Sequence, residues 1–329
     1  MAREAPLKNS GALKGHRPEL ILDEPFDGAW EEPPWPLATE VSSILPRHSW
    51  SLVVGLMFRA HAHLAGVGVI RATSDVDALL HLETRAITFP EASAALYASG
   101  FELADSGRFA YRFMRGDDKV DVMVADRHAA RHAPTFRRSP LFPVPAGTRA
   151  LSQTSNVIMQ REGVEIASFS LPSLQGALAL KGAAFLVDQR DHMRHVEDGI
   201  VLLSCIQEVS EIREGLAKRS RKRIRSLLKE TSENRRVWRT LPSDVQLRAR
   251  EVLGDMSRAF DVTGTDNSWT QAAQQDLSLR SPKLPVSGQS RRGDRGLGNT
   301  AGGGNKGSFA PHLRTEADGS ALGSSPHRD

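Results

Sequence analysis

Asp75 and Asp77 stand two residues apart in the stretch SDVDALLHLE. In a β-strand, residues i and i+2 point to the same face, so the two carboxylates would lie a few ångströms apart. Like charges that close are tolerated when a cation sits between them or when one binds a proton. A carboxylate pair of this kind is what a Mg²⁺ site for phosphate chemistry needs; Asp-x-Asp also arises by chance at solvated strand ends. Asp121 interrupts the strand-forming run KVDVMV and faces opposite to Val120, Val122 and Val124. It is either on a solvated edge or buried against a partner, because an unpaired buried acid is costly. Lys181 falls inside the apolar stripe Leu174, Ala177, Leu178, Ala184, Phe185. Its ammonium must snorkel to solvent or meet an anion. Asp198 is spaced i+4 from Arg194 and i+3 from His195, a pattern that often serves only to stabilise a helix surface.

These residues need elements to hold them. Residues 50–54 read as a short strand, followed by Gly55, a helix-like run over 56–64, a Gly-rich turn at 65–68 and the strand bearing Asp75 and Asp77. PEASAALYASG reads as a helix, with Pro90 suited to its first turn and Gly100 to its stop. FELADS, FAYRFMRG and KVDVMVAD are strand candidates, the last two joined by a turn in GDDK. Residues 128–146, with Pro134, Pro140, Pro143 and Pro145 and the pair Arg137, Arg138, read as irregular; VIMQREGVEIASF reads as a hairpin turning at Glu162 and Gly163. Helices follow over 171–188, with Ser170 as N-cap and Pro172 in the first turn, then over 193–207 and over 243–260 with Ser243 as cap. His61 and His63 do not share a helix face and read as solvated. The fold class is α+β: a mixed sheet backed by helices, then a helical C-terminal half. The divisions are an extended arm over 1–36, an α/β domain over 37–170, a helical region over 171–260 and a disordered Gly/Ser/Arg-rich tail over 261–329. Trp30 and Trp35 are placed to pin the arm to the body.

The order and spacing of the motifs resemble the nucleotidyltransferase superfamily, in the branch that includes the toxins of AbiE-type and MenAT-type toxin–antitoxin systems. The matching residues are Gly55, then Arg71, Thr73, Asp75, Val76 and Asp77, a third carboxylate at Asp121, and the helical Lys181, Arg194, His195 and Asp198. The resemblance covers roughly residues 50–203. It implies a nucleotidyltransferase-like fold and Mg²⁺ or Mn²⁺ on Asp75, Asp77 and Asp121. It also implies nucleotide contacts from Gly55, Arg71, Thr73 and Lys181, and an Asp198 close to the catalytic cleft that holds Lys181 or Arg190. The implied reaction moves a nucleotide from an NTP to a hydroxyl acceptor such as tRNA, in a toxin–antitoxin-like setting with a cognate antitoxin. Leu56 stands where the family has a second small residue, so the alternative is an inactive nucleotidyltransferase-like module that binds nucleotide or RNA.

Composition bounds these readings. The 329 residues carry a formal net charge of +4, too mild to argue for nucleic acid by itself. The charge is unevenly placed: residues 213–239 hold eleven Lys or Arg against three Glu, a local +8. A segregated basic stretch is a plausible footprint for an RNA backbone, as it is for a solvated amphipathic helix. Cys205 is the single cysteine, which rules out an intramolecular disulfide and a Cys-based zinc site, and reads as core packing. No apolar run approaches the ~18 residues of a membrane span, and MAREAPLKNSG lacks the apolar core of a secretory signal. The expectation is a cytoplasmic protein with no membrane partner.

Overall fold

The computed structural model describes residues 17–24, 29–68, 73–105, 107–132, 134–188 and 191–262. Arg71, Arg190 and the tail from residue 263 onward lie outside the described residues.

The strands are β1 (Glu19–Asp23), β2 (Trp50–Leu52), β3 (Asp75–Leu80), β4 (Glu102–Leu103), β5 (Arg112–Arg115), β6 (Asp118–Ala125), β7 (Thr135–Phe136), β8 (Ser139–Pro140), β9 (Pro143–Val144), β10 (Thr154–Arg161) and β11 (Val164–Pro172). Eight of them form one mixed sheet in the order β1-β10-β11-β2-β3-β6-β5-β4, with β9 added alongside β6; β7 and β8 pair separately. The expected mixed sheet backed by helices is therefore present, and its centre is β3 beside β6. These two run parallel, with Asp75 opposite Lys119, Val76 opposite Val120 and Asp77 opposite Asp121. The period of two then divides the residues. One face carries Val76, Ala78, Val120 and Val122. The other carries Asp75, Asp77, Lys119 and Asp121.

Helices cover both faces. α1 (Trp35–Ile44) packs on β11, and α2 (Val54–Leu64) packs on β3. α3 (Phe89–Ala98) opens with a capping box between Thr88 and Glu91 and brings Phe89 and Tyr97 onto Phe113, with ring centroids 6.3 and 5.7 Å away. Arg112 to Arg115 and Asp118 to Asp121 form the expected hairpin, turning at Gly116 and Asp117. The 161–164 hairpin turns where expected, with Glu162 and Gly163 both left-handed (φ 51° and 76°). The C-terminal half is helical: α6 (Leu174–Val187), α7 (His192–Ser204), α8 (Val209–Arg213), α9 (Lys218–Glu233), α10 (Arg235–Trp238) and α11 (Ser243–Ala259). α6, α7 and α9 pack on one another, and α7 also packs on α2.

Several expectations are corrected. Within the segment read as an arm, Glu19–Asp23 is a strand paired in parallel with β10. Trp30 and Trp35 do pin this segment to the body as expected: both are buried, ring to ring at 4.8 Å, and Trp30 Nε1 donates to the Gln160 carbonyl. Residues 128–146 are not wholly irregular: α4 (Asp126–His132) and the short strands β7, β8 and β9 occupy them, and α5 (Gly147–Leu151) follows. Pro172 closes β11 instead of opening the next helix, because the ladder with β10 runs on to Thr154. The cap of α6 is Ser173, whose hydroxyl accepts from Gly176 N. Ser243 is the first residue of α11, after Pro242, and makes no side-chain cap bond. Cys205 is buried at the end of α7, its thiol pKa pushed up to about 12 by burial, as core packing requires.

His61 is not solvated. It is buried, and its Nε2–H donates to the Pro172 carbonyl at 2.8 Å. Burial pushes its pKa down to about 4. His81 is also buried; it accepts from Arg17 at Nδ1 (3.0 Å), which leaves Nε2–H to donate to Ser51 Oγ (2.8 Å). Burial, and then the charge of Arg17, lowers its pKa to about 3. Both rings fold neutral, and the unfolded chain takes up their protons first. Their contribution to stability is therefore complete above about pH 6.5 and declines toward pH 4, by up to ~1.4 kcal/mol per pH unit per ring. In urea titrations across this window, His61→Gln should lower stability at pH 7 and flatten the decline. A slope unchanged from wild type would contradict the assignment.

Candidate metal centre

The register of three strands builds the site. β6 lies inside the sheet between β3 and β5, so the solvated-edge alternative for Asp121 is excluded. Asp77 sits opposite Asp121 on β6, and Asp121 sits opposite Arg112 on β5. One step along, Asp75 sits opposite Lys119. Asp75, Asp77 and Asp121 are 2%, 1% and 1% exposed. They present carboxylate oxygens that all lie within 4.8 Å of one another.

The three acids are held differently. Asp121 receives a fork from Arg112, with Nε to Oδ1 and Nη2 to Oδ2 both at 2.8 Å, the strongest form of carboxylate pairing. Asp75 accepts from Thr73 Oγ1 at 3.0 Å and lies 3.4 Å from Lys119 Nζ. Both oxygens of Asp77 are buried without a hydrogen-bond partner. Burial raises the Asp77 pKa well above the ordinary range, the charges of Asp75 and Asp121 raise it further, and Lys181 and Lys119 oppose them. Burial also raises Asp121, against the hydrogen bond and charge of Arg112.

Gly55 and Thr73 are brought together, and the reason is steric. Gly55 lies in the first turn of α2, and a Cβ there would sit 2.5 Å from Thr73 Oγ1. Only glycine lets the helix pass this close to the hydroxyl that supports Asp75. The preceding Val54 is left-handed (φ 55°), a strained backbone for a β-branched residue. Leu56 is fully buried within α2.

Lys181 does not snorkel. It is 2% exposed, and its Nζ lies 2.6 Å from Asp198 Oδ2, itself 2% exposed, and 5.8 Å from the Phe58 ring centroid. Its charge is felt at Asp77, so Lys181 and Asp198 belong to the same neighbourhood as the triad. Asp198 is thus a buried partner for Lys181, not half of a surface pair; Arg194 pairs with Asp191 at 3.5 Å, and His195 Nε2 lies 3.2 Å from Asp188 Oδ2. Burial and the Lys181 charge lower His195 to about 4.

Arg112 and Lys119 lie outside the residues of the sequence motifs. Both are readable in the sequence all the same: Lys119 precedes Asp121 by two, and the turn at Gly116–Asp117 fixes Arg112 opposite Asp121.

The donor set fits a hard divalent cation. It is all oxygen, and it contains a carboxylate with two orphaned buried oxygens. Adjacent ligands of an octahedral Mg²⁺ lie about 3.0 Å apart and opposite ones about 4.2 Å, so oxygens within 4.8 Å of one another are near enough to converge on one ion by side-chain rotation. Comparison of the chain with protein-family models, with curated proteins and with solved structures gives no match in any of the three.

The sign for Asp77 is opposite to that of the histidines. Its folded pKa is raised, so its contribution to stability is complete below the unfolded value near 4 and is lost as pH rises through the folded one. In metal-free buffer, Asp77→Asn should exceed wild type in urea stability at neutral pH and above, with the gap widening as pH rises. Millimolar Mn²⁺ should stabilise wild type and leave the variant unmoved. A variant less stable than wild type without metal, or equally stabilised by Mn²⁺, would contradict the site.

Proposed function

We propose that the chain is a metal-dependent nucleotidyltransferase that moves a nucleotide from an NTP to a hydroxyl acceptor, with RNA, including a tRNA end, as the acceptor class. The observation that carries this reading is Asp77: a carboxylate with both oxygens buried and unpartnered, beside two other acids. Asp75, Asp77 and Asp121 would hold Mg²⁺ or Mn²⁺, which when bound supplies Lewis-acid polarisation of the phosphate and a lower pKa for the acceptor hydroxyl.

Charge favours one ion over two. The triad contributes −3, and Arg112 and Lys119, paired to it, return +2. Without nucleotide, a single divalent ion leaves the buried centre at +1 and a second would leave +3, so a second ion would enter only with the negative charge of the triphosphate. Lys181 and Asp198 cancel as a pair at rest. In the reaction the acceptor oxygen bonds to the α-phosphorus, the bond from that phosphorus to the bridging oxygen breaks, and pyrophosphate leaves. The hydroxyl proton passes to a triad carboxylate oxygen. Lys181 stabilises the added phosphate charge, and Asp198 keeps its ammonium in place; Thr73 and Gly55 fix the carboxylate of Asp75. Positioning and electrostatics supply most of the acceleration in such transfers. A toxin–antitoxin setting, with an antitoxin partner, belongs to the same reading through the motif resemblance.

A second reading has its own support. The triad is almost wholly buried and already meets two cations, as a purely structural charge cluster or an inactive nucleotide- or RNA-binding module would. The readings separate when the protein is incubated with each labelled NTP, Mn²⁺ and total RNA. The transferase reading expects label on RNA, and a loss of at least ~100-fold, in the range of removed electrostatic stabilisers, in Asp75→Asn and Asp77→Asn. Lys181→Met should lower turnover more than nucleotide affinity. Absence of transfer to RNA or protein with any NTP would favour the structural cluster.

A further inference from the structure

Six of the seven basic residues of α9 fall into two sets. Arg221 and Arg223 turn to the body: Arg221 bonds the Ala259 carbonyl and Asp261, and Arg223 lies 3.9 Å from Asp126. Lys218, Lys222, Arg225 and Lys229 are exposed. Their spacing of four, three and four residues sets them along one stripe of α9, because successive residues turn by about 100°. At a rise of ~1.5 Å per residue, the stripe is about 16 Å long. Lys229 is 3.9 Å from Glu233 at its far end, and no ion pair among the described residues involves Lys218, Lys222 or Arg225.

The apolar side of the same helix is fully used. Ile224, Leu227 and Leu228 are buried in the core. A helix that inserts into a lipid surface keeps such residues free for the acyl region; this one has none to offer. What remains outward is cationic and hydrophilic. α9 is also seated tightly. A Cβ at Gly182 would lie 2.4 Å from the Arg223 carbonyl oxygen, so the stripe is fixed against α6, the helix that carries Lys181.

We propose that Lys218, Lys222, Arg225 and Lys229 form a rigid track for the phosphates of a single nucleic-acid strand. Four cations along about 16 Å can each meet one phosphate of a strand laid along the helix. It reads charge and not base identity, since it offers ammonium and guanidinium groups to the backbone. As the docking face for an acceptor it rests on the transferase reading; as a nucleic-acid surface it stands apart from the chemistry.

The test measures binding of a short labelled oligoribonucleotide of mixed sequence, and of the matching DNA strand, by fluorescence anisotropy over a salt series. Four contacts to a single strand give a log–log salt slope of about −2.8, a loss of about 50-fold in affinity between roughly 50 and 200 mM salt. The variant K218A/K222A/R225A/K229A should lose both the affinity and most of that slope. A charge-matched control altered at exposed sites elsewhere, R47A/R85A/R108A/R127A, should retain the slope. Asp77→Asn should bind as wild type does, which keeps failure of the chemistry distinct from failure of the track. Equal losses in the stripe variant and its control, an unchanged slope in the stripe variant while its circular dichroism remains native, or tighter binding to phosphatidylserine vesicles than to either strand would each overturn the proposal.

Discussion

The parallel pairing of β3 with β6 sets Asp77 directly beside Asp121 in the interior of a sheet. Two carboxylates in that position lose hydration and repel each other. Neither can be moved aside, because a one-residue slip of either strand would carry its valines from the core face to the charged one. The conflict has to be met locally. Arg112 meets it at Asp121, Lys119 and Thr73 meet it at Asp75, and Lys181 adds a positive field at Asp77. Asp77 itself is left to bind either a proton or a cation. The charged face of the sheet is therefore one electrostatic problem with several partial solutions and one open position.

The surrounding fold holds this arrangement in place. Gly55 allows α2 to press on Thr73, and Gly182 allows α9 to press on α6. The first contact steadies the support of Asp75; the second fixes the helix that carries Lys181. Lys181 and Asp198 form a buried pair whose worth is chiefly geometric, since such pairs gain little net stability once desolvation is counted. Removing one partner would leave a buried charge uncompensated, which costs far more than the pair returns.

Much of this was legible in the sequence. Alternation in SDVDALL and KVDVMV placed the three acids on strands, and the polar Lys181 within an apolar helical stripe marked a residue that had to meet an anion. The mixed sheet and the helical second half followed from periodicity and turn residues. Other features depend on tertiary context that no local pattern carries. The strand at Glu19–Asp23 forms because β10 offers it an edge, and Pro172 ends a strand because Thr154 pairs with it. His61 looks solvated between alanines, yet a carbonyl more than a hundred residues away accepts its hydrogen bond. The basic run likewise reads as uniform in sequence, while two of its arginines are engaged by Asp126 and Asp261.

Anomalous scattering from a Mn²⁺-soaked crystal tests most directly whether Asp77 is a ligand for a divalent cation. The expected result is a single peak bounded by Asp75, Asp77 and Asp121, at bonding distance of about 2.2 Å from an Asp77 oxygen, with Arg112 still bridging Asp121. A crystal with no peak there, or with two peaks and Lys119 displaced from Asp75, would contradict it.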